Sequence, residues 1–392
     1  MLCIRNGQIH DGIHKAAKKA DILVDGGKIV RIGQKLPVPE GTKIVDAAGK
    51  FVYPGFVEAH AHSGLDLYGI GVEGHDYNEM NDSVTPHMRA IDGIQPLDYS
   101  LREAAAAGVT TIATGPGSSN VLGGTFAAIK TVGTRVDDMV VKNPVAMKCA
   151  FGENPKRCFK GKSVDTRMGN AAKLREALFK AKEYLKKKEA AAEDDSKKEP
   201  SFDIKLEALI PVLKKEIPLK AHAHQLNDMF TAIRIAKEFD LDLTLEHCTE
   251  GHLAPEALAA EGYPMAVGPT FGHSGKYELR RKTWATPGIL DKAGCQVSII
   301  TDSPVIPQKY LPLCAGYAVK AGMDPFHALQ AITINPAKHL GIADRVGSLE
   351  VGKDADIVIT NGNPFYPETE VQYVFINGEP VDLAPADTTT AI

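Results

Sequence analysis

Residues 54–64, "PGFVEAHAHSG", place two histidines one residue apart at the end of a short apolar run. In an extended strand successive side chains point to opposite faces, so His60 and His62 share a face about 6.5–7 Å apart along the chain. Both imidazoles can then reach one ion. A second pair, His222 and His224, closes the stretch "LKAHAHQ" at residues 219–225. For both pairs to serve one site, the fold must bring strand ends from distant parts of the chain to a common rim.

The chain between residues 54 and 344 has the pattern of such a fold. Runs of strand length, "GFVEAHAH", "GVTTIATGP", "NPVAMKCAFGEN", "IPLKAHAH", "LDLTLEHC", "YPMAVGPTF" and "CQVSIITD", alternate with helix-patterned stretches such as "NDMFTAIRIAKEF" and "PEALAAEG". The alternation predicts a parallel sheet wrapped by helices, and the number of units favours a closed (β/α)8 TIM barrel over an open sheet. Seven strands are clear. The fourth is expected between Glu153 and Pro218, where "FDIKLEALI" is a weak strand pattern. Residues 1–53 and 345–392 read instead as short strands broken by Asp-Gly, Gly-Gly and Asn-Gly turns, and are expected to pair into a small composite β-sandwich. A length of 392 residues with 44% hydrophobic content suits one barrel-sized unit with a small companion.

Composition narrows the partners. A net charge of −4 with mixed signs offers no basic patch for nucleic acid, so a small-molecule substrate is expected, with a homo-oligomer left open. The six cysteines contain no CxxC pair, which indicates neither a disulfide framework nor a zinc knuckle and points to a reducing cytoplasm. The N-terminal stretch lacks the apolar core of an export signal, and no run approaches the roughly 18 apolar residues that span a bilayer. No membrane partner is expected.

In a barrel, strand C-termini line the rim where active sites form. His60 and His62 would lie there with His222 and His224 from the fifth strand, His247 from the sixth, His273 just past the seventh and Asp302 from the eighth. A lone histidine in an apolar strand is usually a hydrogen-bonded core residue. Histidines at so many strand ends, joined by Asp302 in "TDSP", argue for a metal site instead, with zinc, manganese or iron fitting the donor set. His60, His62, His222, His247 and Asp302 are the expected ligands, and His224 and His273 the expected substrate contacts. The connection 64–96 is long enough to act as a lid over that rim. The stretch 181–200, "AKEYLKKKEAAAEDDSKKEP", reads as a surface helix or insertion without chemistry. "GPGSSNVLGG" at 115–124 reads as an irregular loop, and Arg89, Arg280 and Arg281 as surface arginines unless they clamp a carboxylate.

Taken together, "PGFVEAHAH", the later single histidines, "ITDSP" and the flanking "GKDADIVI" resemble the amidohydrolase superfamily of metal-dependent hydrolases, nearly end to end. "HAH" and "EHCTEGH" resemble its imidazolonepropionase-related branch most. The resemblance implies a barrel with a composite β-sandwich, one or two divalent ions, and hydrolysis of a non-peptide C–N bond, as in a cyclic amide. Two-metal members bridge their ions with a carboxylated lysine or a glutamate, and "VAMKCAFGENPK" offers Lys148 and Glu153. Strand alternation puts Glu153 on the face of Met147 and Cys149, and Lys148 on the other. Glu153, at the strand's C-terminal end, resembles the glutamate of the N-acetylglucosamine-6-phosphate deacetylase branch and is the expected bridging ligand. Asp302 is then the expected general base, with the metal and whichever of His247, His224 or His273 is free of ligation polarising the substrate oxygen. A ring deaminase, an Xaa-Pro metallodipeptidase and a catalytically dead scaffold on the same fold are the competing readings.

Overall fold

The computed structural model describes residues 1–69 and 71–384; residues 385–392, the end of the second expected sandwich segment, lie outside the described residues. One sheet draws on both ends of the chain. Its N-terminal strands are β1 (Leu2–Ile9), β2 (Lys18–Asp25), β3 (Lys28–Gly33), β4 (Lys43–Asp46) and β5 (Phe51–Pro54). The eight strands of the second sheet follow: β6 (Phe56–Ala61), β7 (Val109–Thr114), β8 (Leu122–Lys130), β9 (Val140–Ala150), β10 (Leu219–Ala223), β11 (Leu243–His247), β12 (Met265–Val267) and β13 (Val297–Ile299). The chain then returns to the first sheet with β14 (Ile357–Thr360), β15 (Val371–Ile376) and β16 (Glu379–Pro380).

The antiparallel pairing of β14 with β5 joins the two ends, and the apolar residues Ile4, Ile22, Val52, Ile357 and Phe375 form one cluster there. In the larger sheet, β6 and β7 are parallel, as are all neighbours from β9 to β13. β8 alone runs antiparallel to both its neighbours. The result is a TIM-type barrel with one reversed strand.

That strand is the eighth member that the sequence pattern leaves blank between Glu153 and Pro218. "FDIKLEALI" carries the helix Ile204–Glu207 instead, because the Asp203 carboxylate caps it by accepting from the Lys205 and Leu206 amides. The strand lies earlier, at Leu122–Lys130, where Gly123 and Gly124 give its start the look of a loop. Gly124 has φ of +112°, and a Cβ there would meet the Met88 carbonyl oxygen at 2.3 Å, so the connection 64–96 packs against this strand through a glycine. The charged stretch from residue 181 continues the helix Arg167–Glu193.

Barrel closure occurs without a strand ladder between β6 and β13. Glu58 spans the seam: one oxygen accepts from the His60 amide of its own strand (3.1 Å), and the other crosses to accept from the Thr301 amide (2.9 Å) and hydroxyl (2.6 Å). The His62 amide donates to the Ser303 carbonyl at 2.8 Å. The strands that carry the first histidine pair and Asp302 are thereby locked side by side.

Candidate active site

Strand parity decides what enters the barrel. Met147, Cys149, Ala221 and Leu245 face outward into the apolar layer shared with the surrounding helices. The alternate positions Lys148, Lys220, His222 and Glu246 point inward and are buried, as is Glu58. The interior is therefore charged, and its charges are paired: Glu246 accepts from Lys220 (2.9 Å), faces His60 Nδ1 (3.0 Å) and His339 Nε2 (2.9 Å), and accepts from the Thr244 hydroxyl (2.7 Å). A buried carboxylate with this many partners avoids the cost of an uncompensated charge.

Above this layer two groups of side chains converge. His60, His62 and Asp302 form one, and His222, His224 and His247 the other; within each, one ligand atom per residue lies within 4.8 Å of the others. Asp302 Oδ1 stands 3.3 Å from His62 Nε2 and 3.6 Å from His60 Nε2. The groups adjoin, with His60 and His247 ring centroids 5.0 Å apart and His222 and His247 4.3 Å apart. Two backbone features bring them there. His247 (φ +74°) and Asp302 (φ +53°) are both left-handed, a conformation non-glycine residues rarely adopt, and it turns each side chain away from the alternation of its strand.

The ring nitrogens show which atoms are free. His62 Nδ1 faces the Gly115 carbonyl (2.7 Å), His247 Nδ1 the Gly268 carbonyl (2.8 Å) and His224 Nδ1 the Thr249 hydroxyl (2.7 Å). These contacts orient the rings and leave each Nε2 toward the centre, as metal-ligating histidines require. Both nitrogens of His222 and Nε2 of His247 are buried without a hydrogen-bond partner. Burial holds His60, His222 and His224 well below the usual imidazole range and lowers His247 to about 4, so the rings are neutral. Unpartnered buried nitrogens on neutral rings, beside a carboxylate, suit a divalent ion of the zinc type. Burial raises the Asp302 carboxyl, but the imidazoles of His247, His62 and His60 outweigh it and hold Asp302 ionised.

Glu153 and Lys148 occupy different places. Glu153 follows Gly152 (φ +82°) and opens the helix Glu153–Cys158; its carboxylate faces the Glu278 amide at 3.4 Å, away from both groups. The extended alternation ends at Gly152, so the outward-facing set that Glu153 belongs to is carried into the helix layer. Lys148 Nζ lies 3.0 Å from His60 Nε2, and burial lowers its ammonium to about 8. His273 is exposed on the loop after β12, outside the lining of the cavity above the groups.

That cavity, about 310 Å³, is lined by His62, His224 and Asp302 below and by Tyr77, Asn154 and Lys276 above. Tyr77 comes from the connection 64–96 and stacks on His62 with centroids 5.4 Å apart. The loop after β12 adds Glu278, a fully buried carboxylate 3.8 Å from His222 Nε2 and 3.9 Å from His224 Nε2. Nothing in the sequence pattern marks Glu278, because it sits in an irregular loop. Glu246 and Lys220 could have been found from the strand parity that places His222 inward. Arg280 and Arg281 pair with Glu250 at 3.3 and 3.8 Å, and Arg89 with Asp92 at 3.7 Å.

Comparison with known proteins gives the same picture. Residues 51–381 match the amidohydrolase family model. The amidohydrolase tasK of Hapsidospora irregularis is 30% identical over 91% of this chain, which spans 39% of that protein. The imidazolonepropionase of Symbiobacterium thermophilum is 25% identical, covering 85% of this chain and 81% of that one. The crystal structure of an amidohydrolase from Thermotoga maritima MSB8 superposes with a TM-score of 0.94 at 40% identity, over 97% of this chain and all of that one. A barrel whose rim gathers two histidine-rich groups, joined to a sheet made from both chain ends and matched by the family model over most of the sequence, places this protein in the amidohydrolase family.

Proposed function

We propose that the protein is a metal-dependent hydrolase of a non-peptide C–N bond, acting on a cyclic amide or related small molecule. The observation that carries this reading is the pair of adjoining groups, with Lys148 against His60 and unpartnered imidazole nitrogens buried among them. His60, His62 and Asp302 would hold one ion and His222 and His247 a second. Lys148 could serve both, since burial lowers its ammonium to about 8 and so enlarges the neutral-amine fraction that can take up carbon dioxide; the product would offer two carboxylate oxygens in place of one nitrogen. A bound divalent ion lowers the pKa of water toward about 7 and so supplies hydroxide at neutral pH.

The chain's own residues do the rest. Asp302, held ionised at the cavity floor, accepts the proton released by the attacking water and passes it to the leaving nitrogen. His224, oriented by Thr249, presents Nε2 to the cavity and stabilises charge developing on the substrate oxygen. Tyr77, stacked on His62, covers the reacting centre and limits access of bulk water.

The test is a panel of cyclic amides, hydantoins and N-acyl amino acids, followed by product analysis. Chelation should abolish turnover and a divalent metal should restore it, with Asp302→Asn inactive in both states. Full turnover by metal-free protein would sink the reading. Ammonia as the sole product would assign a ring deaminase instead, and free amino acids from dipeptides a metallodipeptidase.

A further inference from the structure

The upper wall of the cavity carries two cations, Lys276 with one carboxylate partner and Arg157 with none among the described residues. Asn154 and Arg157 lie three residues apart on the helix Glu153–Cys158, hence on one face of it, and both line the cavity. Lys276 reaches the same place from the loop after β12: its ammonium donates to Asn154 Oδ1 at 3.1 Å and lies 2.9 Å from Glu278 Oε1. Its side chain is 16% exposed, so this is a largely buried charge at the mouth rather than a solvated surface lysine.

Glu278 does not cancel the pair. It is the counter-charge of Lys276 alone: Arg167, 3.4 Å away, is matched more closely by Asp228 at 3.0 Å, and Glu278 also accepts from the Glu153 amide at 3.0 Å, which leaves Arg157 unmatched. Arg157 is a solvent-exposed side chain that lines the cavity, with no carboxylate within ion-pair distance among the described residues. Among the described residues the only acidic side chain lining the cavity is Asp302, at the floor with the imidazoles. The remaining polar wall near the mouth is neutral, from Asn78, Ser118 and Ser119.

We infer that this wall is a carboxylate-binding subsite, so that the substrate is a small acid whose carboxylate sits on Arg157 and Lys276 while its C–N bond faces Asp302. The inference rests on the hydrolase reading above and narrows it to a carboxylated cyclic amide or an N-acyl amino acid. Glu278 and Asn154 are positioning residues: they hold the Lys276 ammonium toward the cavity. An anion seated there gives the unmatched Arg157 guanidinium a partner and accepts from the Lys276 ammonium, and the planar guanidinium suits a carboxylate. A neutral substrate of the same shape forgoes both gains.

The experiment compares isosteric probes that differ in charge alone: hydantoin-5-acetate against hydantoin-5-acetamide, and N-acetylalanine against N-acetylalaninamide. Calorimetric titration of the full chain should show each acid binding at least about tenfold more tightly than its amide. Arg157→Met and Lys276→Met should each erase most of that preference, while Lys276→Arg retains it and Arg281→Met, a like charge paired with Glu250, leaves it intact. Equal binding of acid and amide, binding of neither, or a preference that survives the Arg157→Met/Lys276→Met double variant would overturn the inference. Turnover is scored separately. Acid preference without hydrolysis of any probe defeats the hydrolase reading alone, and hydrolysis of acid and amide with equal kcat/KM defeats the subsite alone.

Discussion

Replacing Lys130 by methionine removes the one cation among the described residues that pairs with Asp356 across the boundary between the barrel and the terminal sheet. The Lys130 ammonium lies 2.6 Å from Asp356 Oδ2 and 3.1 Å from Asp354 Oδ2, with side-chain exposures of 4%, 3% and 2% respectively. Asp354 keeps Lys28 at 2.6 Å and Arg345 at 3.0 Å. Asp356 keeps only the Thr110 hydroxyl at 2.9 Å, the Asn377 amide at 3.0 Å and a long contact to Thr111. Methionine fills nearly the same volume, so the loss is electrostatic: a buried carboxylate stripped of its counter-charge costs about 3–5 kcal/mol. Urea unfolding followed by the fluorescence of Trp284, the sole tryptophan, should show a loss of that size. The double variant Lys130→Met/Asp356→Asn should recover most of it, since no unpaired charge remains. The wild-type cluster of Lys130 with Asp354 and Asp356 also has a pH signature. Burial raises the Asp354 carboxyl, but Lys130, Lys28 and Arg345 outweigh it and hold it below its usual value, so its contribution is present above the unfolded-state pKa and lost as pH falls through the folded one. A single variant within about 1 kcal/mol of wild type, or a double variant no more stable than the single, would refute the electrostatic account.

Lys148→Ala should lower both bound metal and turnover at least about a hundredfold, whereas Glu153→Gln should leave metal content unchanged; elemental analysis of the two variants decides between them. Glu246→Gln removes the charge that orients His60 and should weaken metal binding by about 10–100-fold, read by chelator competition, with the fold intact by circular dichroism. Gly152→Ala puts a Cβ 2.5 Å from Glu278 Oε2 at φ +82°, so it should destabilise by about 1–3 kcal/mol and displace the loop that carries Lys276, seen as a raised KM.

The alternation of apolar runs with helical stretches, and the turn-rich ends, are legible in the sequence because the period of the pattern is set by local geometry. The same holds for His60 and His62: strand alternation alone puts both rings on one face. Position at a strand's end was enough to nominate His222, His247 and Asp302 as well. The reversed strand β8 was not legible, since glycines needed for close packing of a distant connection disguise its first residues, and Asp203 converts the rival segment to a helix.

The choice between Lys148 and Glu153 shows where the boundary lies. Alternation puts them on opposite faces of one strand, whereas the strand ends at Ala150 and Glu153 opens a helix; that Lys148 looks inward depends on which face the helices cover, and that is a property of the packed layers. The arrival of Glu278 and Lys276 from an irregular loop, and the meeting of Lys276 with Asn154, are likewise decided by long-range packing, as they involve residues more than a hundred positions apart. Sequence determined the elements and the donors they carry, because those follow from nearest-neighbour chemistry. Only the tertiary structure decided which donors share a space, because barrel closure sets the inward face of every strand at once.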